Sequence, residues 1–306
     1  MPIVMGAAVS HSPLLYRERS AWNAVSAILR KDAIQPKSAA AEGADMLDGY
    51  ADRVTRGLSA IQQAIARADL DAIILLSADR GTQFDSSHVP QIHLQVGGEL
   101  WGDPAIAELG EPSRRLSFSG ESEAASMIIE ELVRDGFDIA EARDQFDPVG
   151  DPARGLTPAA VEAVDRLADG LPIIAISINC HVAPVIGGGR VHCFGLALER
   201  AARLTGKRLG LLVAGGLSGD PEGRMGGWID DVFDKWVLTR LERGRSIDLA
   251  RVWDARSRTL LGSTAEVRLW AAAGAALEQA GCRATVHDYL AIHAAAAGIA
   301  FTTWEN

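Results

Sequence analysis

The sequence has few cysteines and no long apolar run, and both absences narrow the class of protein. Its 306 residues include three cysteines, Cys180, Cys193 and Cys282, which are widely spaced and form no Cys-x-x-Cys pair. No structural zinc site is therefore indicated, and without a secretion signal we expect reduced thiols in a cytoplasmic protein. No stretch of about 18 uninterrupted apolar residues occurs, so we expect no membrane-spanning helix.

Basic residues are also fewer than acidic ones. Lys and Arg total 30 against 40 Asp and Glu, which gives a formal net charge of −10. Such an acidic chain repels phosphate backbones, so we expect no nucleic-acid partner. Hydrophobic residues make up 48% of the chain, which is enough apolar surface for a folded core and excludes a disordered chain.

Short apolar runs alternate with helical patterns through the first two thirds of the chain. Four runs rich in Ile, Leu, Val and Ala lack polar alternation, as in strands that are covered on both faces, and they cover 3–9, 72–76, 172–178 and 209–214. Apolar residues at helical spacing predict helices over 44–68, 122–135, 157–169 and 191–204. Strands that alternate with helices predict an α/β fold, with a central, mostly parallel sheet flanked by helices.

The last third of the chain has a different pattern, because it is mostly helical. The predicted helices and one final strand cover 226–243, 248–254, 265–280 and 282–287. Residues 17–42 and 98–120 are less regular and are predicted to form long loops. No repeat or long Pro/Gly linker divides the chain, so we predict that residues 1–306 form a single α/β domain with a helical C-terminal section.

Polar residues follow each of the four predicted strands in the first two thirds. In open α/β sheets, ligands bind beyond the carboxyl ends of the strands, so a site is expected there. The residues are His11 after the first strand, Asp79 and Arg80 after the second, His181 after the third, and Ser218 and Asp220 after the fourth. Arg154 precedes a predicted helix and Glu266 begins a late one. Each alone also fits a turn or a helix terminus, and their convergence on one sheet edge favours a functional site.

Five segments occur along the chain in a recognisable order. They are SHSPLL, LLSADRGTQFD, GGLSGDPEG, GSTAEVRLW and TTWEN. This order resembles the class III extradiol ring-cleaving dioxygenases, which include the protocatechuate 4,5-dioxygenase catalytic subunit and the dihydroxyphenylpropionate dioxygenase. The resemblance implies a role in aromatic compound catabolism, and a homo-oligomer or a pairing with a homologous subunit. It also implies Fe(II) bound by two histidines and one glutamate, with open positions for a catechol and O2.

The family's functional residues carry over to this chain only in part. His11 falls on the first iron histidine and Glu266 on the iron glutamate. The second iron histidine is Arg80 here, the acid/base histidine after Gly-Gly-Leu-Ser is Gly219, and the histidine of a His-Gly loop aligns with Arg154. Arginine stays protonated and offers no lone pair to a metal, and glycine moves no proton. We therefore expect the family's fold with a partly dismantled metal site. Whether the chain binds Fe(II) or has no cofactor stays open.

In one interpretation the chain is an enzyme that acts on a small phenolic or aromatic carboxylate, or on its ring-opened product. It cleaves rings with a rearranged metal shell of His11, His181 and Glu266, or it catalyses metal-free hydrolysis or lysis. In the metal-free version His11 or His181 is the general base, and Glu266 orients the substrate or donates a proton. The other interpretation is a non-catalytic, metal-free subunit or scaffold that partners an active homologue.

The predicted ligand is a small anion, because two guanidinium groups prefer planar carboxylates or phosphates, and the resemblance favours an aromatic or ring-opened carboxylate. The predicted substrate-binding residues are Arg80, Arg154, Asp79, Ser218 and Asp220. A second possibility stays open, in which Arg80 pairs with Asp79 and Arg154 with Asp151 and neither arginine contacts a ligand.

Overall fold

The computed structural model describes residues 3–31, 36–84, 88–143, 155–168, 170–219, 228–254 and 262–306. Two predicted site residues, Arg154 and Asp220, lie outside the described residues, and their roles stay predictions. No helix in the described ranges has both the length and the apolar character that a bilayer crossing requires. The single domain, the cytoplasmic location and the oligomeric state also stay predictions.

The described residues contain ten strands. They are β1 (Met5–Val9), β2 (Ala72–Ser77), β3 (Ile92–Gln95), β4 (Glu99–Gly102), β5 (Leu116–Ser119), β6 (Ala140–Ala142), β7 (Ile173–Ile178), β8 (Leu209–Ala214), β9 (Arg283–Ile292) and β10 (Ala297–Glu305). Eight of them form one sheet in the order β6-β3-β7-β2-β8-β1-β10-β9, while β4 and β5 form a separate antiparallel pair. The central strands β7, β2, β8 and β1 run parallel to one another, whereas β10 and β9 are antiparallel additions. The predicted α/β fold with a mostly parallel sheet is confirmed.

Helices cover both faces of this sheet. They are α1 (Trp22–Leu29), α2 (Ala44–Arg67), α3 (Ser122–Arg134), α4 (Pro158–Leu167), α5 (Gly188–Leu204), α6 (Asp231–Glu242), α7 (Ser246–Asp254) and α8 (Val267–Ala280). Alternate residues of one strand enter different cores, since Ile74 and Leu76 pack with α3, α5 and α8, whereas Ile73 and Leu75 pack with α2 and α4. Burial on both faces explains why β2 has no polar alternation.

The predicted strands and helices of the first two thirds match the structure within three residues, but β3 and β6 were not predicted, and both predicted loops and the last strands differ. The predicted long loops over 17–42 and 98–120 are wrong in part, because they contain α1 and the β4–β5 pair. These elements are short, and α1 buries only three residues, so their periodic signal is weak. The helical C-terminal section is confirmed, but the predicted strand 282–287 is too short and β10 was not predicted. Thr302 and Thr303 interrupt the apolar pattern of β10, although both are buried.

Candidate functional site

A cavity of about 370 Å³ lies at the carboxyl ends of the central parallel strands. His11 after β1, Arg80 after β2 and Glu266 before α8 all line it. These residues are far apart in sequence. The parallel topology brings His11 and Arg80 to one edge of the sheet, as predicted, and the start of α8 places Glu266 beside them. Apolar side chains complete much of the wall, among them Ile28, Leu29, Ile106, Ala295 and Ala297.

Glu266 is the centre of a cluster with Arg80 and His181, which we call the Arg80–Glu266–His181 cluster. The Glu266 side chain is 5% exposed. Its Oε1 accepts hydrogen bonds from Arg80 Nε and from His181 Nε2, both at 2.8 Å. Its Oε2 accepts the Gly216 N–H at 2.6 Å. A Cβ atom at residue 216 would lie 2.6 Å from Ser263 Cβ, so this close approach requires glycine.

The charge of Arg80 keeps Glu266 ionised. Burial alone would raise the pKa of Glu266, but the guanidinium of Arg80 and the hydrogen bond and charge of His181 outweigh it. The pKa of Glu266 is therefore held well below its usual range. Because an ionised carboxylate only accepts hydrogen bonds, we assign the proton of His181 to Nε2.

His11 belongs to a second cluster that sequence reasoning missed, the Arg17–Glu162–His11 cluster. His11 Nε2 lies 3.3 Å from Glu162 Oε2, and Glu162 Oε1 accepts from Arg17 Nη1. Arg17 also donates to both oxygens of Glu111 at 3.0 Å and to the Pro104 carbonyl at 2.8 Å. Glu162 lies in α4 and is 5% exposed. The available signal was a charged residue inside an otherwise apolar helix face.

His11 is neutral in this environment. Burial, together with the charges of Arg80 and Arg17, lowers the pKa of His11 to about 4, against an opposing effect of Glu266. Glu162 is paired with Arg17, and its carboxylate accepts from Nε2, so the lone pair of the ring is on Nδ1. No described residue forms a hydrogen bond with that Nδ1 atom, which leaves a neutral base beside the cavity.

Two other predicted residues organise the backbone around the cavity and do not line it. The Asp79 carboxylate accepts four backbone N–H groups, at 2.8 to 3.2 Å, from residues 81 to 84. Asp79 thereby folds the loop that carries Arg80, and Arg80 pairs with Glu266 instead of its neighbour. The Ser218 hydroxyl donates to Asp234 at 2.6 Å and accepts the Asp230 N–H at 2.9 Å. Substrate-binding roles for Asp79 and Ser218 stay predictions.

Gly219, which the resemblance in the sequence aligns with an acid/base histidine, has no room for a side chain. Its φ is +147°, a conformation that side chains rarely adopt. A Cβ atom there would overlap the Ala296 carbonyl oxygen and lie 3.0 Å from Ser263 Oγ. The connection between β9 and β10 therefore fills the space that a histidine would need.

The described residues do not fit an Fe(II) centre of two histidines and one carboxylate. Within the described ranges, no group of three His, Cys, Asp or Glu side chains is arranged to hold a metal ion. Both Glu266 oxygens accept N–H donors, and Nε2 of His11 and of His181 faces a carboxylate. Arg80 brings a permanent cation where a neutral ligand is needed. The metal-ligand roles of His11 and Glu266 stay predictions.

Comparisons with known proteins agree with the resemblance in the five segments. Residues 35–300 match the family model described as the catalytic LigB subunit of aromatic ring-opening dioxygenase. The chain is also similar to the 2,3-dihydroxyphenylpropionate/2,3-dihydroxicinnamic acid 1,2-dioxygenase of Klebsiella pneumoniae, with 23% identity over 280 residues, covering 75% of this chain and 83% of the relative. The matched range of the family model includes Arg80, Gly219 and Glu266, whereas His11 precedes it.

Proposed function

Because the chain belongs to the family of the catalytic LigB subunit of aromatic ring-opening dioxygenases, we propose that it converts a small phenolic or aromatic carboxylate, or the ring-opened product of one, without a metal ion. The observation that carries the proposal is the state of Glu266, whose two oxygens are taken by Arg80, His181 and the Gly216 N–H. A carboxylate with these donors is a poor metal ligand, and the cation beside it suits an anionic substrate.

The size and lining of the cavity support this substrate class. About 370 Å³ is within the range of small-molecule sites. Apolar side chains such as Leu29 and Ile106 offer a surface for a ring, while Arg80 offers a charge for a carboxylate or phenolate. The Arg80 side chain lines the cavity and is 32% exposed, while its Nε donates to Glu266.

His11 is the proposed general base. Its neutral imidazole takes the proton of a phenolic hydroxyl or of an attacking water at Nδ1 and becomes an imidazolium. Glu162, on the opposite nitrogen, balances the new positive charge, and Arg80 stabilises the oxyanion that remains on the substrate. Glu266 stays ionised throughout and orients Arg80. The reaction class is hydrolysis or lysis, neither of which needs an oxidant. In hydrolysis the water oxygen adds to a carbonyl carbon of the ring-opened substrate, the bond from that carbon to its leaving group breaks, and the imidazolium returns its proton to the leaving group. In lysis of a phenolic acid the carboxylate leaves as CO2, and the ring carbon that carried it takes the proton back from the imidazolium.

Turnover without O2 and without metal tests the proposal. Purified protein is treated with a chelator, and hydroxybenzoates, dihydroxybenzoates and their ring-opened dicarboxylates are offered under argon. We expect at least one compound to be converted at a rate that added Fe(II) and air do not change. Conversion that requires both Fe(II) and O2 would contradict the proposal, as would the failure of every compound to bind or react.

A further inference from the structure

We infer that Glu162 is a positioning residue for His11, which fixes the orientation and the tautomer of the imidazole while Arg17 holds Glu162 in place. The inference rests on the proposed function, since that function makes His11 a base. Glu162 lies in α4, away from the strand-end residues that the sequence singled out, and it aligns with none of the family's functional residues named above.

The burial of Glu162 requires compensation, and the structure shows what compensates it. Its neighbours in α4 are apolar and buried, including Val161 and Ala163. An unpaired buried carboxylate is strongly destabilising. Here Oε1 accepts from Arg17 and Oε2 faces His11, so each oxygen has one partner. The carboxylate is therefore built into a bridge between a cation and an imidazole.

Arg17 holds its end of the bridge independently of any ligand. Glu111 accepts from Arg17 Nε and Nη2, and the Pro104 carbonyl accepts from Nη2 as well. The Arg17 side chain is 13% exposed, so little of it reaches solvent. With the guanidinium held on several sides, the Glu162 carboxylate contacts Arg17 through one oxygen and His11 through the other.

This arrangement selects one tautomer of His11. An ionised carboxylate has no proton to donate, so the nitrogen that faces it must carry the proton. Nε2–H then points to Glu162, and the Nδ1 lone pair is left for the substrate. The ring of Tyr16 lies beside His11, with the ring centroids 6.4 Å apart and 28° between the planes.

The start of α4 fixes where Glu162 lies. Thr157 caps the helix, with its side chain accepting the Ala160 N–H, and Pro158 occupies the first turn. Glu162 follows in the next turn. Glu162 lines both the cavity beside His11 and a second cavity of about 450 Å³, so truncation of its side chain would open one cavity toward the other. An isosteric substitution is therefore the right test.

The test compares Glu162→Gln with Glu111→Gln, a matched control that also contacts Arg17 but has no contact with His11. Nitrogen-15 NMR of histidine-labelled protein reports the imidazole tautomer without any turnover. We expect the Nε2–H form of His11 in the unmodified chain and in Glu111→Gln, and a mixture of tautomers in Glu162→Gln. With a substrate found as described above, kcat of Glu162→Gln should fall about 10- to 100-fold with little change in KM.

A conservative variant keeps the inference testable if Glu162→Gln does not fold. Glu162→Asp retains the charge and should restore most of the Nε2–H form. An unchanged His11 tautomer in Glu162→Gln would overturn the inference. So would a tautomer mixture in Glu162→Asp that equals the mixture in Glu162→Gln, or a loss of kcat in Glu111→Gln as large as the loss in Glu162→Gln. If no substrate is converted, the proposed function fails, while the tautomer measurement still decides the role of Glu162.

Discussion

The two clusters at the cavity are built from the same three residue types and use them differently. In the Arg80–Glu266–His181 cluster, guanidinium and imidazole converge on one carboxylate oxygen and a backbone N–H takes the other. In the Arg17–Glu162–His11 cluster, the carboxylate bridges its two partners, one on each oxygen. The first cluster leaves Arg80 32% exposed, whereas Arg17 in the second is 13% exposed.

This difference assigns a role to each cluster. In the Arg80–Glu266–His181 cluster, one carboxylate accepts from both side-chain donors. The group that lines the cavity there is the Arg80 cation, which suits binding of an anionic ligand. Where the carboxylate is a bridge anchored by a partly buried arginine, the group presented to the cavity is a neutral imidazole, which suits proton transfer. The permanent charge of Arg80 suits ligand binding and the titratable imidazole of His11 suits proton transfer. Substitutions in the two clusters are therefore expected to have different effects.

The largest expected effect is the loss of the base. His11→Ala removes the proton acceptor, and because general-base catalysis contributes about 10²–10⁴-fold, we expect kcat to fall by that factor with little change in KM. Steady-state kinetics on the substrate identified above measure it. The control is His287→Ala, which removes an imidazole that contacts Thr303 and does not line the cavity. Comparable activity of both variants would contradict the role of His11.

The second-largest expected effect is a loss of stability when the cation of Arg80 is removed. Arg80→Met leaves the Glu266 carboxylate buried with its main compensating charge removed, and we expect a loss of about 3 kcal/mol in the free energy of unfolding at pH 7. Because the pKa of Glu266 is lower in the folded chain than in the unfolded chain, the ionised carboxylate stabilises the fold at pH values above the unfolded-chain pKa. This stabilisation is lost as the pH falls through the folded-chain pKa. Without Arg80 that pKa rises, so the deficit should shrink below about pH 4. Urea unfolding at both pH values measures it.

Arg53→Met is the matched control for Arg80→Met. Arg53 pairs with Asp288 at 2.6 Å, but their side chains are 38% and 26% exposed. A pair in contact with solvent contributes about 1 kcal/mol or less, so its loss should be small. A deficit for Arg80→Met that equals the control, or that grows as pH falls, would show that Arg80 does not neutralise a buried carboxylate.

A smaller effect is expected at the closed position beside the Arg80–Glu266–His181 cluster. Gly219→Ala places a Cβ atom against the Ala296 carbonyl in a backbone conformation that is strained for alanine, and we expect a loss of about 2 kcal/mol in unfolding free energy. Gly206→Ala is the control, because its φ is +71° and no atom lies within 4 Å of the added carbon. Thermal unfolding that ranks Gly206→Ala as the more damaging would contradict the closed space at residue 219.

The smallest expected effect is a shift in pH dependence that links the clusters. The pKa of His11 is lowered to about 4, so kcat/KM should fall only as pH drops through about 4. Both arginines disfavour the imidazolium, Arg80 more than Arg17. Arg80→Met should therefore move the acid limb toward higher pH, and Arg17→Met should move it less. An acid limb near 6.5 in the unmodified chain, or one that neither substitution moves, would contradict this ordering.

Much of the fold was predictable because burial on both faces leaves a simple signature. The apolar runs at β2 and β8 have no polar alternation, and the helix α2 has a regular apolar stripe. The strand β10 was missed, since its buried threonines hide the pattern. Its place between β1 and β9 is a tertiary property that local sequence does not record.

The candidate site was predictable only where topology dictates proximity. His11 and Arg80 line one cavity because the parallel strands before them end at one edge, and Glu266 joins them from the start of α8. Glu162 and Arg17 follow no strand, so that rule does not find them. Glu162 had a weak signal, a charge within an apolar helix face, whereas Arg17 lies in a segment predicted to be a loop.

The most direct test of the central claim is the binding of Fe(II) itself. Anaerobic equilibrium dialysis of the purified chain against Fe(II), followed by elemental analysis, measures how much iron the protein retains. With Glu266 held by Arg80 and His181, and His11 held by Glu162, we predict substoichiometric iron and no change when Glu266 is replaced by Gln. One tightly bound iron per chain that is lost in His11→Ala and in Glu266→Gln would contradict the claim that a guanidinium has taken the place of the metal.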